Sequence, residues 1–134
     1  MIVVDASALI AILDLEDDAS RYAEAISEAD SPLISAATLV ETGIVMLNRH
    51  GARGLRKVNS LIQEAGCEIE DVTAQQAQLA LEAYALYGKG QKHKAKLNYG
   101  DCFSYALAKA TGLPLLFKGN DFAGTDIQPV LAKP

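Results

Sequence analysis

The first apolar run, Ile2-Val3-Val4, is short and β-branched, and Leu9, Ile10, Ile12 and Leu13 follow it within a largely apolar stretch from Ala6 to Leu13. This predicts a strand feeding a helix, with Asp5 at the junction. Tyr22, Ala25, Ile26 and Ala29 then recur at helical spacing behind Asp17 and Asp18, which place negative charge at the start of a second helix. Ser31-Pro32 breaks that helix and Leu33-Ile34 predicts a second strand. Ser35 or Thr38 caps a third helix through Leu47, which Gly51 ends. Leu55, Val58, Leu61, Ile62 and Ala65 trace a further stripe that stops at Gly66, with Arg53, Arg56 and Lys57 on the side facing water.

Cys67 to Val72 alternates enough to predict a strand, and Thr73 caps a long helix carrying Ala77, Leu79, Ala80, Ala83, Tyr84 and Leu86. Gly88 and Gly90 end it in a Lys-rich loop. Asn98 caps the next helix, Tyr99 to about Thr111, and Leu115-Leu116-Phe117 predicts a last, buried strand before the turn Lys118-Gly119-Asn120-Asp121. Short apolar strands separated by helices imply an α/β fold whose mostly parallel sheet is covered on both faces. The 134 residues, half of them apolar, fit one domain spanning 1–134 and exclude a disordered chain. No run approaches the ~20 apolar residues that span a bilayer, and Asp5 interrupts the start before a signal-peptide core develops. A cytoplasmic protein is expected. Cys67 and Cys102 lack CxxC or Cys/His spacing and read as ordinary thiols.

Charge changes the picture because it is unevenly placed. The net charge is −5, yet residues 1–48 contribute nine acids and one base, whereas the remainder contributes eight acids and eleven bases. Two stretches without an acid hold Arg49, Arg53, Arg56 and Lys57, then Lys89, Lys92, Lys94 and Lys96. Their alternatives are a solvated helix face and a solvated loop, or contacts to the phosphates of a polyanion. His50 and His93 fall in the same stretches without partners in any motif.

In parallel sheets, ligands bind beyond the carboxyl ends of strands, where loops and helix N-termini gather. Asp5, Glu41, Asp101 and Asp121 all take such positions. Each also has a structural explanation: Asp5 as a helix cap, Thr38 with Glu41 as a capping box, Asp101 as the partner of Asn98 in another, and Asp121 as a turn residue. Four carboxylates brought together repel unless a cation or proton neutralises them, and a hard divalent ion with oxygen ligands answers that need. Such an ion beside basic stretches points toward a metal-dependent nuclease.

The segments Val3-Val4-Asp5-Ala6-Ser7-Ala8-Leu9, Thr38-Leu39-Val40-Glu41, Leu97 to Ala108 and Leu116 to Phe122 together resemble the PIN domain, in the form found in VapC-type toxins of toxin–antitoxin pairs. The resemblance covers essentially the whole chain. It implies a PIN-like three-layer α/β/α fold and an endoribonuclease dependent on Mg²⁺ or Mn²⁺. It also implies a homodimer, held inactive by a cognate antitoxin that covers the acidic pocket. By position, Asp5 and Asp101 match the primary metal ligands, Glu41 the third acid and Asp121 the fourth and more variable one. Ser7 and Thr38 match residues that orient the acids or a metal-bound water, and Asn120 and Asp126 are further candidates. Arg49, Arg53, Lys89, Lys92, Lys94 and Lys96 are the candidate RNA contacts.

Two other classes remain open on the residues alone. Phosphoryl transfer through an aspartyl phosphate would use Lys118 beyond the last strand, but Asp5 has no adjacent acid and Ser7 stands where a second Asp would be needed. A non-catalytic α/β interaction module would use the acids only as helix caps.

Overall fold

A computed structural model of the protein describes residues 1–132. Its elements follow the order β1 (Val3–Val4), α1 (Ala6–Leu13), α2 (Ala19–Glu28), β2 (Leu33–Ser35), α3 (Ala36–Ala65), β3 (Glu68–Glu70), α4 (Ala74–Tyr87), α5 (Tyr99–Thr111) and β4 (Leu115–Leu116). The strands form one parallel sheet in the order β3-β2-β1-β4. Every pairing is parallel, so helices must connect the strands and cover the faces.

Alternation along the short strands divides the core in two. Val3, Leu33 and Leu115 project to one face, where Ala80 and Ala83 of α4 and Cys102, Tyr105, Ala106 and Leu107 of α5 pack on them. Ile2, Val4, Ile34 and Leu116 project to the other, against Ala8 and Leu9 of α1, Tyr22 and Ile26 of α2, and Leu61 and Ile62 of α3. The result is the three-layer arrangement the pattern implied. No helix among the described residues is long and apolar enough to cross a membrane.

Helix starts follow side-chain chemistry. Asp5, Ser35, Thr73 and Asn98 each accept a backbone N–H of the first turn, so the orphan donors of α1, α3, α4 and α5 are partly satisfied by their caps. Ser35, not Thr38, takes the cap of α3. Thr38 therefore lies inside the helix, and no capping box forms with Glu41. Gly51 breaks α3 with φ 65° and ψ −151°, a conformation that a side chain would strain, and helix resumes directly after it. The predicted third helix and the stripe from Leu55 to Ala65 are thus two segments joined at one residue.

Two departures concern the sheet edges. The strand expected over Cys67–Val72 is limited to Glu68–Glu70, because only those three residues pair with β2 and nothing pairs with β3's other side among the described residues. At the opposite edge, Leu115 donates to Gln128 O and accepts from Val130 N, both with N···O near 3 Å (2.9 and 3.0 Å), so the chain after the last turn covers β4.

Candidate active site

The carboxyl ends of β1, β2 and β4 and the N-termini of α1, α3 and α5 meet in one place. Asp5 follows Val4 directly, is 2% exposed, and uses Oδ2 to accept both the amide (3.0 Å) and the hydroxyl (2.7 Å) of Ser7. Its role as a cap leaves Oδ1 facing the neighbouring elements. Oδ1 accepts the hydroxyl of Ser104 from α5 at 2.6 Å, and Ser104 in turn lies 3.2 Å from the Thr38 hydroxyl on α3. Ser7 Oγ also accepts the Lys118 amide at 2.9 Å, which ties the end of β4 to α1.

Asp101 completes the capping box with Asn98: its Oδ2 accepts the Asn98 amide while its own amide donates to Asn98 Oδ1. The structural role foreseen for it is real, and it does not remove the carboxylate from the cluster. Burial, and then the charges of Asp5, Asp121 and Glu41, push the Asp101 carboxyl well above the usual range against the opposing pull of the Asn98 amide. Burial first, and the Asp5 charge second, push Glu41 up to about 7. Glu41 Oε1 is buried with no hydrogen-bond partner, an arrangement that costs free energy unless something supplies positive charge or a donor.

Gly100 explains how Glu41 reaches this position. A Cβ on residue 100 would fall 2.3–2.6 Å from both Glu41 carboxylate oxygens and its Cδ, so the carboxylate occupies space that only glycine leaves open. Three elements therefore deliver Asp5, Glu41 and Asp101 to one volume, where the charge of Asp5 acts on both of the others. Asp121 is exposed at the rim, with its charge felt by Asp101. Its carbonyl accepts the Lys96 amide at 2.9 Å, which holds the Lys-rich loop beside the turn after β4.

The chemistry of this donor set fits a hard divalent cation. It offers carboxylate oxygens, one of them orphaned and buried, with two carboxyls held toward protonation first by burial and then by their neighbours' charge. The carboxylates are arranged around a volume rather than closed upon a point: among the described residues, no three His, Cys, Asp or Glu side chains converge at the spacing that one ion requires.

Other candidates lie elsewhere. Arg49 and His50 both engage Asp14, the C-cap of α1, at the end of that helix remote from Asp5. Arg53, Lys89, Lys92, Lys94 and Lys96 are exposed. The loop bearing the four lysines is pinned at its base, where Lys89 donates to Leu97 O (2.8 Å) and Leu97 to Tyr87 O (3.0 Å). Asp126 accepts Tyr105 Oη (2.6 Å) and Lys109 Nζ (2.5 Å), outside the cluster. Lys118 Nζ is held by Glu16 and Asp18, away from Asp5, so the lysine that an aspartyl-phosphate site would need is committed to a different ion pair.

Sequence reasoning passed over Ser104 and Gly100. The available signal for Ser104 was its place three residues after Asp101, which puts both on one face of α5. For Gly100 there was none, since a glycine in the first turn after a cap has many uses.

The model of the PIN domain matches residues 2–128. The chain is 50% identical over 129 residues to ribonuclease VapC28 of Mycobacterium tuberculosis, covering 96% of this chain and 97% of that one. It is 48% identical to ribonuclease VapC30 of the same species, with 96% and 97% covered. Among solved structures, VapC20 of M. tuberculosis, described as a toxin that cleaves the sarcin–ricin loop, superposes with a TM-score of 0.77 at 20% identity over 95% of this chain and 96% of that one. A toxin–antitoxin complex from Klebsiella pneumoniae gives 0.70 at 20% identity over 94% and 93%.

Proposed function

The chain belongs to the PIN-domain family, among its VapC ribonucleases, and from that membership we propose that it cleaves RNA internally at the pocket formed by Asp5, Glu41 and Asp101. The observation that carries this reading is the buried, unpartnered Glu41 Oε1 facing a site where burial and neighbouring charge hold two carboxyls toward protonation. Asp5, Asp101 and Glu41 would hold Mg²⁺ or Mn²⁺, with Asp121 at the rim. Such an ion, when bound, neutralises charge on the scissile phosphate and makes an adjacent water more acidic.

The chain's own groups do the positioning. Ser7 fixes Asp5 through two hydrogen bonds, and its hydroxyl is itself held by the Lys118 amide. Thr38 and Ser104 brace Asp5 from the opposite side. The N-terminus of α5 adds a positive dipole end beside Asp101, favouring the phosphate of an approaching substrate. Lys89, Lys92, Lys94 and Lys96 lie on the loop tied to Asp121 and supply charge for the RNA backbone without encoding a sequence. Arg49 and Arg53 would extend that contact farther from the cut.

As a toxin of this class, the protein works with a cognate antitoxin. The acidic pocket fits a partner segment bearing Lys or Arg by charge, which supports inhibition by covering the site. Val40, Ile44 and Leu47, spaced along one stripe of α3 and each about half exposed (60%, 53% and 45%), support a homodimer. Residues 1–134 would act as a single domain.

The test is cleavage of total cellular RNA by protein free of antitoxin, with Mg²⁺ or Mn²⁺ and with EDTA, beside D5N and D101N. Discrete cuts that need the ion and vanish in both variants are expected. Cleavage that survives EDTA, or persists in both variants, would overturn the assignment.

A further inference from the structure

Asp5 is held by more donors than a helix cap needs. A carboxylate offers about four lone-pair positions, two on each oxygen. Both positions on Oδ2 are taken, by the amide and the hydroxyl of Ser7. One on Oδ1 is taken by Ser104, at a distance typical of a charge-assisted bond. Ser104 donates to Asp5 Oδ1 and so spends its single proton there. In the contact with Ser104, Thr38 is therefore the donor. The chain of protons runs one way, from Thr38 to Ser104 to Asp5. All three residues are at most 2% exposed, so water does not compete for these bonds.

We propose that Ser104 is a positioning residue for the reaction: it leaves Asp5 one open lone pair, on Oδ1, and fixes the direction in which that lone pair points, while Thr38 acts on the site only by orienting Ser104. The proposal rests on the divalent-cation reading above. Ligation through a single oxygen of fixed direction suits the near-ideal octahedral geometry that Mg²⁺ demands. Groups that orient a metal-binding carboxylate in this way contribute to affinity although they never touch the ion.

The decisive measurement is calorimetric titration with Mn²⁺, without RNA, of the wild-type protein, S104A, T38V and the double variant, each checked for folding by circular dichroism. Ion affinity is expected to fall about 10- to 100-fold in S104A and by a smaller factor in T38V. The double variant should match S104A, since Thr38 has nothing left to orient. Cleavage by S104A should need proportionally more Mn²⁺ for half-maximal rate, with the KM for RNA unchanged. S104A affinity within about twofold of wild type, or a double variant weakened by the product of the two single effects, would overturn the proposal. Should S104A not fold, T38V alone decides: wild-type affinity there refutes the chain. A wild-type protein that binds no Mn²⁺ refutes the cation reading and this proposal together, whereas wild-type binding unaffected by S104A refutes only the positioning role.

Discussion

The acidic cluster and the basic stretches are built in opposite ways. Asp5 and Asp101 are buried and Glu41 is half-buried, and each is placed by the end of a strand, a helix cap or the room a neighbouring backbone leaves. Lys89, Lys92, Lys94, Lys96 and Arg53 are exposed, on a loop held at its base and by the Lys96 amide on Asp121, or on an outward helix face. A catalytic group needs direction, so the fold over-determines it. A group that attracts a polyanion needs only charge, which acts through water and tolerates movement.

Damage to the cluster should therefore be large and local, and damage to the basic side graded. D5N or D101N should reduce RNA cleavage to background. G100A should come next: its Cβ displaces the Glu41 carboxylate, and a misplacement of about 1 Å can cost roughly 10²-fold in rate, visible as a lower kcat with folding intact. Replacing Lys89, Lys92, Lys94 and Lys96 by Ala should weaken RNA binding without changing where cuts fall. The slope of log affinity against log salt should drop by about 0.7 for each lysine that contacts phosphate. An unchanged slope would remove the loop from the interface.

The same contrast predicts a stability effect. Glu41 is raised in the folded state, so the folded protein binds more protons than the unfolded chain between the ordinary glutamate range and about pH 7. In EDTA, stability should therefore fall as pH rises through that window, and E41Q should flatten the decline. After discounting for contact with solvent, the gain at pH 8 is about 1 kcal/mol, or a rise in Tm of roughly 4 °C by thermal melting. The smallest effect belongs to Arg49. R49A breaks an exposed pair with Asp14 and should cost at most about 1 kcal/mol in urea unfolding, with RNA bound slightly more weakly and the cut positions unchanged.

What could be seen from the residues divides along the same line. Helix starts at Asp5, Thr73 and Asn98 and the stop at Gly66 were legible because caps act over two or three residues. The acids were legible for the same reason, since each lies at a strand end or a cap. Ser35 and Thr38 were equivalent as caps until tertiary packing drew the Thr38 hydroxyl to Ser104, 66 residues away. The Arg49 and Asp14 pair joins residues 35 apart, and the chain covering β4 was invisible because Gln128 to Val130 carries no strand pattern. The Gly100 and Glu41 packing depends on two helices meeting, which no local signal reports.

The most direct test of the central claim is to grow crystals with Mn²⁺ and locate the ion by anomalous scattering. A peak is expected about 2.0–2.3 Å from Asp5 Oδ1, with Asp101 and Glu41 drawn in as its other protein ligands. A peak only at Glu16 and Asp18, or none near Asp5 at saturating Mn²⁺, would contradict it.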